Sequence, residues 1–121
     1  MLETLRSLVQ IIVALGIFNV WLIRFGKSTK WRGGDAKDLR AEFEVYGLPV
    51  WFMTLIGAVK VSLGCCLIAG LWFPVITRPA AFGLAVLMLG AIAMHIKVGD
   101  PLKKALPATS MFLMSLFVVF A

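Results

Sequence analysis

The sequence is poor in the residues that build most active sites. Its 121 residues include one histidine, one tyrosine and two cysteines, and only 15% are charged. Cys65 and Cys66 are adjacent inside an apolar run, so they offer neither a disulfide framework nor zinc-ligand spacing. Neighbours on a helix point about 100° apart, which excludes an exchanging thiol pair of the C-x-x-C kind and leaves two small polarizable residues packing between helices. One histidine with no acid in the apolar runs makes no metal site, and as a haem ligand it would need a second axial partner from elsewhere. Metal binding is therefore not expected. Low-complexity tracts and repeats of about 20–50 residues are also missing, which excludes an array and leaves one domain spanning residues 1–121.

What is abundant is apolar surface. The hydrophobic set makes up 61% of the chain, against about 45–50% in an ordinary soluble domain. A compact domain of this length leaves roughly a third of its unfolded surface in contact with solvent, and here much of that third would be hydrocarbon. A bilayer is the matching solvent. The net charge of +6 does not point to nucleic acid, because the basic residues punctuate the apolar segments rather than forming one soluble face with aromatics between them.

Four segments approach the roughly 20 apolar residues that a spanning helix needs: residues 5–25, 50–73, 79–96 and 105–121. The last is short, and Pro107 suits its first turn. The first carries Glu3 and Arg6 and has no small-residue cleavage site after it, so it is expected to be a retained span rather than a signal peptide. Between spans one and two, Gly33-Gly34-Asp35 offers a turn and an N-cap. Leu39, Phe43 and Tyr46 then recur at helical spacing while Lys37, Asp38, Arg40, Glu42 and Glu44 take the other face. This pattern predicts a short interfacial helix near residues 36–45 with Leu39, Phe43 and Tyr46 as its buried side. Gly47 then stops that helix and Pro49 opens span two. Residues 74–78 are left as a tight turn between spans two and three, and Gly99-Asp100-Pro101 as a turn before span four. The fold class expected is all-α, an integral membrane four-helix bundle of up-down-up-down order.

Orientation follows from the basic residues. The loops after spans one and three hold nine lysines and arginines, whereas the opposite side holds only Arg6 and Arg78. By the positive-inside rule both longer loops are cytoplasmic and both termini face outward.

Within the spans, Lys60 lies 11 residues past Pro49, about 16 Å into span two at 1.5 Å per residue and so near the bilayer middle. A lysine there costs roughly 2.5–3.5 kcal/mol on insertion scales and marks a candidate functional position. Gly57 and Gly64, at i−3 and i+4, allow a partner helix to approach and cover the amine. Asn19 from span one is its candidate polar neighbour, and together the two form a candidate intramembrane site. A lysine that is neutral, or that reaches along its stem to an interface as a packing accident, is the competing account. Asn19, Arg24, Trp31, Tyr46, His95 and Asp100 all fall towards one membrane side and form a candidate vestibule. A histidine at this depth is more often a hydrogen-bonded packing residue than a ligand or catalyst. Gly57 with Gly64, Gly83 with Gly90, and Gly16 mark faces for close helix contact. Met111, Phe112, Met114, Phe117 and Phe120 are left to face lipid or a partner protein.

The strings NVWLIR at 19–24, WRGGDA at 31–36, EFEVYGLP at 42–49, GAVKV at 57–61, Ala69 to Leu71 with Pro74, and residues 88–93 followed by HIKVGDPLKKALPA at 95–108 resemble the DoxX-like family of small four-span bacterial membrane proteins. The resemblance covers nearly the whole chain and implies a four-helix bundle with an amphipathic first loop. Some relatives are linked to thiosulfate:quinone oxidation or to membrane oxidoreductase complexes, and distant animal relatives act in receptor assembly. Many relatives place a glutamate in span two where this chain has Lys60. The family supplies no shared catalytic constellation to transfer.

Three functions are compatible with these features. The favoured one is a non-catalytic accessory or assembly subunit of a larger membrane complex, since the sequence offers no nucleophile–base pair, metal cluster or phosphate loop. The alternative is an accessory of a membrane oxidoreductase that binds a quinone or lipid head group through Lys60 or the Asn19/His95 side; if the chain is redox-linked, it is as a quinone-coupled subunit. No cofactor is predicted beyond that quinone or lipid. A small transporter or proton path ranks third, because a relay needs more than one titratable group across the membrane. Expected partners are the lipid bilayer and other membrane subunits or a second copy, with no nucleic acid. A carboxy-terminal reporter active only in the cytoplasm is expected to stay silent; a strong signal would reverse the orientation.

Overall fold

The computed structural model describes residues 1–23 and 39–121. Among them the structure is all helical. Helix α1 spans Leu2–Phe18 and runs into a π-helical segment, Asn19–Ile23. A short α2, Leu39–Val45, precedes α3, Val50–Ala69; then come α4, Thr77–Lys97, and α5, Leu106–Phe120. Four stretches are long and apolar enough to cross a membrane: Leu2–Leu22, Val50–Ala69, Pro74–Lys97 and Leu102–Phe120. The long helices meet pairwise, α1 with α3, α3 with α4, α4 with α5 and α5 with α1, which closes a ring of four. The expected four-helix membrane bundle is what the structure shows. The Gly33-Gly34-Asp35 turn and residues 36–38 of the expected interfacial helix lie outside the described residues.

Each helix stops where the chain can still satisfy its backbone, because in hydrocarbon no water replaces a missing partner. Helix α2 ends in a Schellman motif: Leu48 N–H bonds the Phe43 carbonyl and Gly47 N–H bonds that of Glu44, with Gly47 at φ +77°. Helix α4 ends in the same way, Asp100 N–H bonding the His95 carbonyl and Gly99 N–H that of Ile96, with Gly99 at φ +73°. Pro49 is the N-cap of α3, and Pro107 sits in the first turn of α5, where a missing N–H costs nothing.

Helix α3 stops at Ala69, four residues before the expected end of span two, and α4 begins at Thr77 rather than at Pro79. The tight turn expected over residues 74–78 is therefore displaced: the chain reverses over residues 70–73, and Pro74–Ile76 forms a 3-10 turn leading into α4. Side chains from other helices make this early stop affordable. Leu71 N–H bonds the Ile68 carbonyl, tightening the last turn, while the Leu67 carbonyl accepts from Gln10 Nε2 at 2.7 Å. The Gly70 carbonyl accepts from the Thr77 hydroxyl at 3.3 Å, and a Cβ on Gly70 would collide with that hydroxyl. Pro79 is then the third residue of α4, still within the turn whose N–H groups have no intrahelical acceptor. At span four, a 3-10 turn over Leu102–Ala105 lengthens the apolar stretch that seemed short.

The core is made of Val13, Ala14 and Ile17 from α1, Met53 and Leu67 from α3, Ala80, Ala81, Leu84 and Met88 from α4, and Val118 from α5. Close approach at glycine differs from the expected pattern. Gly16 faces Met111, Gly64 faces Phe18 and Gly83 faces Leu63, but nothing lies within 4 Å of a Cβ built on Gly90. Gly90 thus lies on an open face of α4 and does not share the seam of Gly83. Met111, Phe112 and Met114, expected to face lipid, pack against the core instead, because α5 lies against both α1 and α4; Phe120 is exposed as expected. Trp51 and Trp72, 68% and 71% exposed, mark the two ends of α3. Their separation of 21 residues along the chain corresponds to about 30 Å, the thickness of a bilayer core with an aromatic belt on each side.

Replacing Gln10 by leucine leaves the buried Leu67 carbonyl without its donor and is expected to cost about 1–3 kcal/mol. The measurement is the unfolding midpoint in detergent. A shift no larger than that of exposed Leu8→Ala would remove Gln10 from this role.

Candidate functional site

The chemistry-bearing side chains gather at the membrane end where α1 finishes, α2 docks, α3 starts and α4 finishes. The Schellman motif after α4 builds the first pair. By turning the chain back on itself at Gly99, it brings Asp100 beside the last turn of α4, where Asp100 Oδ2 accepts a hydrogen bond from His95 Nδ1 at 2.8 Å. Both side chains are buried, at 7% and 5% exposure. With Nδ1 directed at the carboxylate, Nε2 faces the Tyr46 hydroxyl at 3.5 Å.

Tyr46 reaches this place because it is the residue between α2 and Gly47. Lys97, on the last turn of α4, donates from Nζ to the Tyr46 carbonyl at 2.9 Å. The ammonium lies 3.8 Å from where a Cβ on Gly47 would sit. Lys104 lies 3.9 Å from the other oxygen of Asp100 and is partly exposed, so this ion pair contributes at most about 1 kcal/mol. The result is one polar cluster, Tyr46, His95, Lys97, Asp100 and Lys104, tying α2 and the α4–α5 connection to the end of α4.

An aromatic row continues from it. Tyr46 and His95 meet edge to face with centroids 5.9 Å apart; Phe43 follows Tyr46 at 6.2 Å and Trp21 follows Phe43 at 6.0 Å. Trp21 rides on the π-helical segment, and its ring lies in the notch left by Gly57: a Cβ there would stand 2.6 Å from Cε3. The same ring covers Lys60, whose Nζ lies 5.5 Å from the ring centroid. Lys60 is 8% exposed and so turned into the bundle. A desolvated ammonium over indole gains about 2 kcal/mol, which offsets much of the insertion cost of a central lysine.

The structure thus brings Tyr46, His95 and Asp100 together and connects them through Phe43 and Trp21 to Lys60. Asn19, expected beside Lys60, is exposed; the π-helical segment that begins at Asn19 turns Trp21 to the amine instead. Arg24 and Trp31 lie outside the described residues, as does the side chain of Leu39. Among the described residues no group of three or more His, Cys, Asp or Glu is placed to hold a metal ion. Cys65 is exposed and Cys66 half-buried. Gln10, Thr77 and Ser115 are buried polar residues that no sequence motif marks; Ser115 Oγ has no partner among the described residues. A lone amide inside an apolar run was the available signal for Gln10.

Chemically, the cluster holds one imidazole between a carboxylate and a hydroxyl, and it clamps three segments. A model of the DoxX-like family matches residues 8–119. No curated protein and no solved structure matches the chain significantly.

Asp100→Ala strands the buried His95 N–H. A loss of about 1.5–3 kcal/mol is expected, the range for a hydrogen bond to a charged group. Exposed Lys103→Ala should stay within about 0.5 kcal/mol. Thermal unfolding of both variants in detergent makes the comparison.

Proposed function

The chain belongs to the DoxX-like family, and from that premise we propose that it is a small multi-pass subunit that packs against a larger membrane complex as an accessory or assembly factor, without catalysis of its own. The observation that carries this reading is where the polar side chains at the α2 end spend their hydrogen bonds. His95, Asp100, Lys97 and Tyr46 bond one another or the chain's own backbone, so they fasten α2 and the α4–α5 connection. Apolar surface remains for outside contact, with Leu8, Ile12 and Leu15 along α1 and Phe82, Val86 and Leu89 along α4. Such faces suit lipid and the spans of other membrane proteins alike. The basic loops at the α2 end support a cytoplasmic position for that end, in a bacterial inner membrane with both termini outward.

A second reading is favoured by Lys60 under Trp21. An accessory that binds a quinone or lipid head group has there a buried ammonium and an aromatic face, a polar anchor beside a stacking surface.

Purification in mild detergent, with mass spectrometry of co-purifying proteins and extraction of quinones, separates the two. Co-migrating subunits without quinone are expected. Stoichiometric quinone and no protein partner would replace the first reading by the second. Lys60→Met, which removes the desolvation cost of a buried charge, should keep or raise the stability of the isolated protein while lowering recovery of the complex. Unchanged recovery would exclude Lys60 from partner contact.

A further inference from the structure

The opposite end of the bundle carries a second charged cluster that the reading above does not use. Arg6 from α1 and Arg78 from the first turn of α4 converge on a single acceptor, the main-chain oxygen of Ala121, with Nη1 at 3.3 Å and Nη2 at 3.1 Å. The end of α5 is thereby held between the starts of two other helices. A guanidinium presents five N–H donors, so one shared oxygen leaves most of both forks unused. Arg6 Nε is buried and has no acceptor among the described residues, while Arg78 is exposed. Helix α4 begins here without a side-chain cap, and the N–H groups of its first turn add positive potential. Glu3 is the acid at this end; it is exposed and pairs with neither guanidinium among the described residues. Two guanidiniums share this one oxygen, and even as a carboxylate oxygen it offsets only one of the two charges, so the positive charge left over favours an added anion.

The depth of the pair says which anion. Trp72 and Phe73 are exposed at this end, at the boundary where indole rings settle between acyl chains and head groups. Arginines at that level meet lipid phosphates. Phe120, 81% exposed and next to Ala121, adds apolar surface beside them. We propose that Arg6 and Arg78 form a binding site for the phosphate of an anionic phospholipid, with an acyl chain lying along Phe120. The two forks give bidentate recognition that a lysine pair would not match. The site is independent of the accessory-subunit reading and sits at the far membrane face from the Tyr46–His95–Asp100 cluster.

The test is lipid retention, read by native mass spectrometry on the whole chain purified from vesicles of equal phosphatidylglycerol and phosphatidylcholine. Wild type should retain phosphatidylglycerol preferentially. Arg78→Gln should bind it about tenfold more weakly, the scale of one lost charge-assisted hydrogen bond, and Arg78→Lys should fall between the two. Lys103→Gln, at the other end, should leave retention unchanged. Circular dichroism checks that each variant is folded; should Arg78→Gln fail to fold, the comparison of Arg78→Lys with wild type decides. A parallel arm adds inorganic phosphate to protein in detergent. Displacement of the lipid only at high phosphate supports a headgroup site, whereas tight binding of free phosphate with no lipid preference overturns it. Equal retention of the two lipids, loss in Lys103→Gln as large as in Arg78→Gln, or an Arg78-dependent acidic protein partner in place of lipid also overturns it.

Discussion

A peptide group inside a membrane has no water to fall back on, and the architecture depends on how this chain meets that demand where its helices end. An unsatisfied carbonyl in hydrocarbon costs several kcal/mol. At one end of the bundle the answer is glycine. Gly47 and Gly99 take the left-handed conformation that would cost another residue roughly 1–2 kcal/mol, and in doing so they fold their own N–H and that of the following residue back onto the last turns of α2 and α4. The same reversal sets Tyr46 and Asp100 on either side of the His95 ring. Capping and site construction are one event here. The cluster owes its geometry to backbone satisfaction and needs no separate explanation for its position.

At the other end the answer is side chains. Helix α3 stops early; backbone N–H groups of the turn take the Ile68 and Ala69 carbonyls, while Gln10 from α1 takes that of Leu67 and Thr77 from α4 that of the C-cap Gly70. These two bonds tie α3 to both of its neighbours in the ring, where a glycine cap would have tied α3 only to itself. Such bonds are modest between membrane helices, on the order of 0.6 kcal/mol each. Their importance lies in fixing depth and rotation, because apolar packing alone discriminates poorly between one register and the next when lipid is as apolar as the helix.

Much of this arrangement was legible in the residues. Apolar run lengths gave four spans, and the spacing of Phe43 and Tyr46 with Gly47 behind them gave a short helix with its buried side and its stop. Gly99-Asp100 was legible as a turn, but the sequence does not state that a Schellman geometry would carry the carboxylate back to a residue five positions earlier. The end of span two was misplaced because Leu71, Trp72 and Phe73 are apolar enough to continue a helix; the donors that let α3 stop at Ala69 come from residues 57 and 7 positions away. Asn19 is the polar residue that span one offers to Lys60, but a π-helical turn begins at it, and the hydropathy of NVWLI carries no trace of that turn. Gly90 shows the limit of small-residue patterns: its spacing from Gly83 matches that of Gly57 and Gly64, yet only the latter pair receives rings from another helix.

The aromatic row joins these local devices. Trp21 contacts Gly57 and Lys60 on α3 and meets Phe43 on α2, while Phe43 and Tyr46 lead to His95 on α4. Helix α2 has only seven residues, far fewer than the roughly 12–15 at which an isolated helix becomes even marginal in water, so it holds its shape through this docking. The indole that shields Lys60 therefore rests on a helix whose own stability comes from the far side of the row. Displacing α2 withdraws Phe43 from Trp21 and loosens the cover over the intramembrane ammonium. Conversely, a larger residue at Gly57 expels the indole from its notch and removes the surface on which Phe43 sits. The interfacial helix and the buried lysine are thus coupled through two rings, and the part of the chain closest to the aqueous loops is mechanically continuous with Lys60.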